Sequence, residues 1–202
     1  MFNPTGDRIA FLHRFTTPVD PWKQRNWRDQ LVTAGLDGRD LRVLEGPVVE
    51  ARRAGLACRK PTPKRLIISH PLWRDDRHVL IWSSPGGKSG YHLYHDPTGL
   101  VTQIGADVLR HNGHFTYHKD GKWLLTDTYR HEQTGLRELF LYDLTTGQTR
   151  SIAKLFSPDL PEECRCDLHP RLSPDGKRVC IDSYHQGERQ VYLIDIGELP
   201  HA

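Results

Sequence analysis

One template recurs four times along the chain, and that recurrence limits the fold more than any other feature. The copies are FNPTGDRIAFLHRF (2–15), PLWRDDRHVLIWSS (71–84), FTYHKDGKWLLTDTY (115–129) and PRLSPDGKRVCIDSY (170–184). Each has a short lead, a polar turn and a β-rich run. The turns are Pro4-Thr5-Gly6-Asp7, Asp75-Asp76-Arg77, Lys119-Asp120-Gly121-Lys122 and Pro174-Asp175-Gly176-Lys177. Asp-Gly supplies the positive φ that a tight hairpin needs. The runs Ile9–Leu12, Val79–Trp82, Trp123–Thr126 and Val179–Ile181 have the β-branched and aromatic content of buried strands. A second strand–turn–strand element follows in QLVTAGLDGRDLRVL (30–44), YHLYHDPTGLVTQIG (91–105) and ELFLYDLTTGQTRSI (138–152), whereas QVYLIDI (190–196) has no fourth strand after it.

Four strands per unit of about 45 residues is the pattern of a β-propeller blade. The fold class is therefore all-β: a single β-propeller domain over 1–202, of about four four-stranded blades near 1–46, 66–106, 110–154 and 166–197. Residues 47–65 read as an insertion, and VVEARRAGLACRK (48–60) as a short helix. The first unit begins at its first turn and the last lacks a final strand. That predicts a part of a larger propeller, whose open edges favour self-association or a second chain supplying the missing blades.

The 202 residues are 37% hydrophobic, and five Trp, seven Tyr and six Phe supply apolar area for a core. Lys and Arg are spread along the chain with a formal net charge of +3, and no basic block points to nucleic acid. No run of ~18 apolar residues is present to span a membrane. Met1-Phe2-Asn3-Pro4 lacks the apolar core of a signal peptide, and four Cys in a chain this long are not a secreted disulfide framework. The expected location is cytoplasmic.

Cys164, Cys166 and His169 fall within six residues on the lead into the fourth unit. The equivalent leads carry His111 and His114 in the third unit and His70 in the second. In a propeller such leads converge on one mouth of the central channel. A metal site follows as an expectation: His114, Cys166 and His169, with Cys164 or His70 as a fourth ligand. Mixed imidazole and thiolate donors suit Zn²⁺ over Mg²⁺ or Ca²⁺. The competing reading is a chance cluster, since Cys-x-Cys-x-x-His is not a zinc-finger spacing and the chain has 12 His. Cys180 reads as an inward core residue, and Cys58 has no evident partner.

FNPTGDRIAFLHRF, HNGHFTYHKDGKWLLTDTY and CDLHPRLSPDGKRVCIDSYHQGERQVYLIDI together resemble the oligogalacturonate lyase family and its β-propeller polysaccharide-lyase relatives, which include ulvan lyases. The resemblance implies a seven-bladed propeller that cleaves uronate-containing oligosaccharides by β-elimination. It implies a divalent metal, typically manganese, held on His residues and a Gln. His114 and His169 match two of those histidines, Cys166 stands where the Gln would be, and Arg171 stands where a further His would be. The Cys-x-Cys arrangement is closer to the structural zinc site of ulvan-type lyases, so zinc is favoured over manganese. The resemblance also implies a catalytic His, matched by His70, and a basic Arg, matched by Arg28, with Arg14 and His13 as local competitors.

β-Elimination removes the proton α to a uronate carboxylate, so a cation must neutralise that carboxylate and a base must reach the proton. His70 has a suitable unperturbed pKa for the base. Arg28 suits carboxylate binding better than proton abstraction, because a guanidinium stays protonated. Arg14 and Arg171 are further substrate-binding candidates. Tyr129 and Tyr184 are candidate donors to the leaving oxygen, or else half-buried strand-end aromatics. His118, His131 and His185 read as solvated turn residues. Trp73, Trp82 and Trp123 read as inter-blade packing, and Trp22 and Trp27 as sugar-stacking residues or loop anchors. Three functions are weighed: a lyase acting on acidic oligosaccharides, a non-catalytic binding or scaffold propeller with a structural zinc, and a truncated inactive fragment.

Overall fold

The chain forms four antiparallel sheets whose strands follow one another in sequence order. The computed structural model describes residues 1–16, 27–46 and 68–200, with side chains for all of these except 15, 16, 27 and 28. The 47–65 insertion with its expected helix, Cys58 and Trp22 lie outside the described residues, as do the side chains of Arg28 and Trp27. The chain divides into two compact units, Met1–Arg110 and His111–Ala202.

The first unit holds two sheets. Strand β1 (Arg8–Thr16) pairs with β2 (Trp27–Gly35), and β2 with β3 (Arg42–Glu45). Phe2 adds an isolated bridge to Ile9 where a further strand would lie. The second sheet runs β4 (Ser69–Asp75), β5 (His78–Ser83), β6 (Gly90–His95) and β7 (Val101–Ile104). Residues Val79–Ser83 of β5 are all buried, as a strand covered on both faces requires. Ala10, Leu31, Ile68, Trp73, Val79, Ile81 and Tyr94 form the core of this unit. A fully buried Leu, Ile or Val there contributes about 1.5–3 kcal/mol. Charge also joins the two sheets. Asp96, after β6, is almost wholly buried and meets Arg8 Nε at 3.0 Å and the Arg42 guanidinium, and accepts a hydrogen bond from the Thr33 hydroxyl.

The second unit repeats the pattern. Strands β8 (Phe115–Tyr117), β9 (Trp123–Asp127), β10 (Leu136–Asp143) and β11 (Thr149–Phe156) form one sheet, and β12 (Arg171–Leu172), β13 (Arg178–Ser183) and β14 (Gln190–Asp195) the other. Leu125, Leu139, Leu141, Leu168, Val179 and Ile181 form its fully buried centre. Two sheets thus have three strands among the described residues, not the four expected of each blade, because Phe2 supplies only a bridge to the first and β14 closes the last.

Trp73, Trp82 and Trp123 are buried, and Trp73 and Trp123 belong to the cores of their units. Two expectations are corrected. His118 is not solvated: it is 7% exposed, its Nδ1 lies 2.9 Å from Asp120 Oδ1, and its Nε2 sits against Gly176 in the turn of the adjoining sheet. Cys180 is not a core residue. Strand alternation buries Val179 and Ile181 on its two sides, and Cys180 turns to the opposite face, where its sulfur accepts from Arg171 at 3.4 Å. No helix among the described residues is long and apolar enough to cross a membrane.

Candidate metal centre

His114 ends the lead into β8 and is held there by Asp127 at the end of β9. The carboxylate accepts from the His114 backbone N–H at 2.6 Å and from its Nδ1 at 3.1–3.2 Å. The Asp127 N–H in turn donates to the His114 carbonyl at 3.2 Å. Gly113 makes this approach possible. A Cβ on it would lie 1.9 Å from the Asp127 carbonyl oxygen, closer than any side chain tolerates. With its Nδ1–H donated to a carboxylate, His114 presents the Nε2 lone pair outward, which is how a second carboxylate orients a metal-binding imidazole.

His169 holds the same register in the next sheet. His114 precedes Asp127 by 13 residues, and His169 precedes Asp182 by 13. His169 Nδ1 lies 3.9 Å from Asp182 Oδ2, a looser version of the same pair. The two imidazoles meet with ring centroids 4.1 Å apart. Burial, and then the neighbouring His114, lower the His169 pKa, which keeps the ring neutral and able to bind a metal. His169 has φ +43, a conformation rare for a non-glycine residue and costing of order 1 kcal/mol or more.

Asp167 completes the cluster. One ligand atom from each of His114, Asp167 and His169 lies within 4.8 Å of the others. Asp167 is itself buried and accepts from Arg165 Nε at 2.8 and 3.0 Å, and Arg137 Nη1 lies 2.7 Å from its Oδ1. Burial works to raise its pKa. The Arg165 hydrogen bonds and the charges of Arg137 and Arg165 overcome that and hold the carboxyl below its ordinary range. Two imidazoles and a carboxylate are a donor set that manganese, iron and zinc all accept, so the residues present fit a divalent metal.

Tyr129, two residues past Asp127, closes one side. Its ring stands edge-on to His114 at 5.6 Å, and the Arg165 guanidinium lies 5.0 Å from its centre. Burial and the Asp167 charge raise the phenol pKa, so Tyr129 keeps its proton. Tyr129, Arg130, Arg137, Ser157, Arg165 and Cys166 line a cavity of ≈ 270 Å³.

The cluster departs from the expected ligand set. His114 and His169 come together as expected, but Cys164 and Cys166 are not in it. Successive residues of an extended chain point opposite ways. Asp167 faces the imidazoles, and Cys166 turns to the interior, 1% exposed, where burial raises its thiol pKa. Cys164 sits exposed in the short 3₁₀ turn Glu162–Cys164. Without a thiolate the preference for zinc loses its basis. Arg171 lies beside the site on β12, its guanidinium 3.3 Å from Asp182.

The other candidates lie in the first unit. Arg14 is engaged with buried Asp29, Nε to Oδ1 at 2.6 Å. The side chain of Arg28 is outside the described residues. His70 holds the register of His114 and His169 and, like His169, is followed by Pro and has positive φ, +59. Thirteen residues after His70 stands Ser83 rather than Asp, and the strand register shifts here, with Trp82 opposite Ser69, so the His-to-Asp interval of the other two sheets is not repeated. Asp127, Asp167 and Asp182 were missed in the sequence. The signal for two of them was present, as the fixed His-to-Asp interval. Asp167 was hidden between two cysteines that drew the metal assignment.

Sheets of this kind, in this order, define a propeller-like fold of the TolB type. Solved structures agree: TolB from Acinetobacter baumannii (TM-score 0.62, 22% identity, 95% of this chain and 40% of that one), a puromycin-hydrolyzing peptidase of Mycobacterium tuberculosis (0.58, 17%, 96% and 27%) and an oligogalacturonate lyase in complex with manganese (0.52, 14%, 98% and 64%). At these identities the likeness is one of fold, and the chain spans 40%, 27% and 64% of these three proteins' lengths. No family model matches the chain. No curated protein matches it either.

Proposed function

We propose that this chain is a lyase-type propeller acting on uronate-containing oligosaccharides by β-elimination, with a divalent metal on His114, Asp167 and His169. The observation that carries the reading is the cluster itself: two imidazoles and a carboxylate within 4.8 Å, built from equivalent loops of neighbouring sheets. A bound divalent metal would supply the positive charge that a carboxylate-stabilised carbanion needs. Arg165 adds fixed positive charge at Asp167, and Arg171 at Asp182 beside the site. Tyr129, its proton held by burial, is the donor to the leaving sugar oxygen.

The test is ultraviolet absorbance of the unsaturated uronate product after mixing the chain, Mn²⁺ and oligogalacturonate or ulvan. The expected result is product formation that falls at least about 100-fold in His114→Ala and His169→Ala. Folded, metal-loaded protein that gives no product from either polymer ends the lyase reading.

A second reading, a non-catalytic binding module with a structural metal, draws on one feature. Asp167 is already braced between Arg137 and Arg165, as a structural staple would be. Under that reading the metal raises the melting temperature and yields no unsaturated product.

A further inference from the structure

Arg137 is buried in the cavity beside the cluster, 5% exposed, and its hydrogen bonds are incomplete. Its Nε and Nη1 have no aligned acceptor among the described residues. Nη1 does lie 2.7 Å from Asp167 Oδ1, but off the hydrogen-bond direction, so that contact is Coulombic only. A buried guanidinium with orphan N–H groups is costly, and such groups are nearly always satisfied in native proteins. The acceptors it lacks are what an anion in the cavity provides.

We propose that this cavity is a carboxylate subsite for one ring of an acidic sugar, anchored by Arg137. The inference deepens the reading above and rests on it for the identity of the substrate. Volume is the first support: ≈ 270 Å³ is on the scale of a single sugar ring, just below the roughly 300–1,000 Å³ of drug-sized sites. Charge is the second. Arg130, Arg137 and Arg165 line the cavity, and Asp167 with the exposed Asp159 and Glu162 offsets them. A site so balanced accepts a monoanion and disfavours a dianion such as phosphate. Chemistry is the third. Arg130 is already fixed by donating Nε–H to the Ser157 carbonyl at 2.8 Å, and the buried Ser157 backbone sets that wall. Arginine is the side chain suited to planar carboxylate recognition. Cys166, buried, closes the wall.

Isothermal titration of the full chain with galacturonate, galactose and inorganic phosphate, in EDTA, tests this. Galacturonate should bind, with galactose and phosphate at least about tenfold weaker, because only the monocarboxylate supplies the missing acceptors without excess charge. Arg137→Gln should weaken galacturonate by at least about tenfold and Arg137→Lys by less. In wild-type protein, which avoids any folding defect of the variants, galacturonate should shift the Arg137 Nε–H resonance. Equal binding of galactose, tighter binding of phosphate, affinity unchanged in a folded Arg137→Gln protein, or an unmoved Arg137 resonance each overturns the proposal. If the subsite behaves as expected and no unsaturated uronate forms, the lyase reading falls and the subsite stands. If elimination occurs while galacturonate binding ignores Arg137, the reverse holds.

Discussion

Asp127 does two jobs with one carboxylate, holding the His114 backbone and setting the tautomer of its ring. Asp127→Asn keeps the shape and removes the charge. Metal affinity, measured by titration with Mn²⁺, should fall about 10–100-fold while the chain stays folded. Glu45 makes a different residue-level prediction. It is buried, with Oε2 lacking a partner among the described residues, and burial raises its pKa against weaker hydrogen bonds from Ser83 and Ser84. The folded state therefore holds the proton more tightly than the unfolded one, whose ordinary value is 4.5. Stability is lost as pH rises from that value through the raised folded one, and the penalty is complete above the folded value. Glu45→Gln should raise stability at pH 7 by roughly 1 kcal/mol and have little effect below the ordinary carboxyl range, as read by urea denaturation at the two pH values.

At the scale of the element, the Asp-Gly hairpins look equivalent in sequence and differ in packing. Gly121 and Gly176 have φ of +70 and +76, so either loses conformational freedom when replaced. A Cβ at Gly121 meets nothing within 4 Å, whereas one at Gly176 would lie 2.1 Å from His118 Nε2. Gly121→Ala should cost about 1–2 kcal/mol from backbone strain alone. Gly176→Ala should cost roughly 1–3 kcal/mol more by overpacking against His118, a difference that denaturant midpoints of the two variants resolve. The turns themselves were legible, because Asp-Gly encodes positive φ locally. The contact with His118 was not, since it joins residues 58 apart in the chain. For the same reason the sequence reading left His118 in solvent.

For the whole molecule, open edges carry the consequence. Strand β14 pairs with β13 on one side, and among the described residues nothing pairs with its other side. Val191 and Leu193 stand 67% and 62% exposed on it. An unpaired, apolar edge templates pairing with another copy, and lysine is the usual block. Light scattering should show association that rises with protein concentration. The double variant Val191→Lys, Leu193→Lys should reduce it several-fold without lowering the melting temperature. A scattering curve identical to wild type would remove β14 as the associating edge.

The recurring turn and the alternating runs around it were enough, read alone, to specify a chain of antiparallel sheets and to put His70, His114 and His169 at one register. Those are properties of local backbone preference and of the two-residue period, which short stretches carry in themselves. Which of the side chains near that register meet is a different matter. Cys166 and Asp167 are adjacent, and only the direction in which the lead enters β12 turned the carboxylate toward His114 and the thiol toward the interior. Arg137, far along a different strand, reaches the same carboxylate because the sheets of the second unit stack. Orientation about an extended backbone and contact between sheets depend on packing over the whole unit, and no local pattern encodes them.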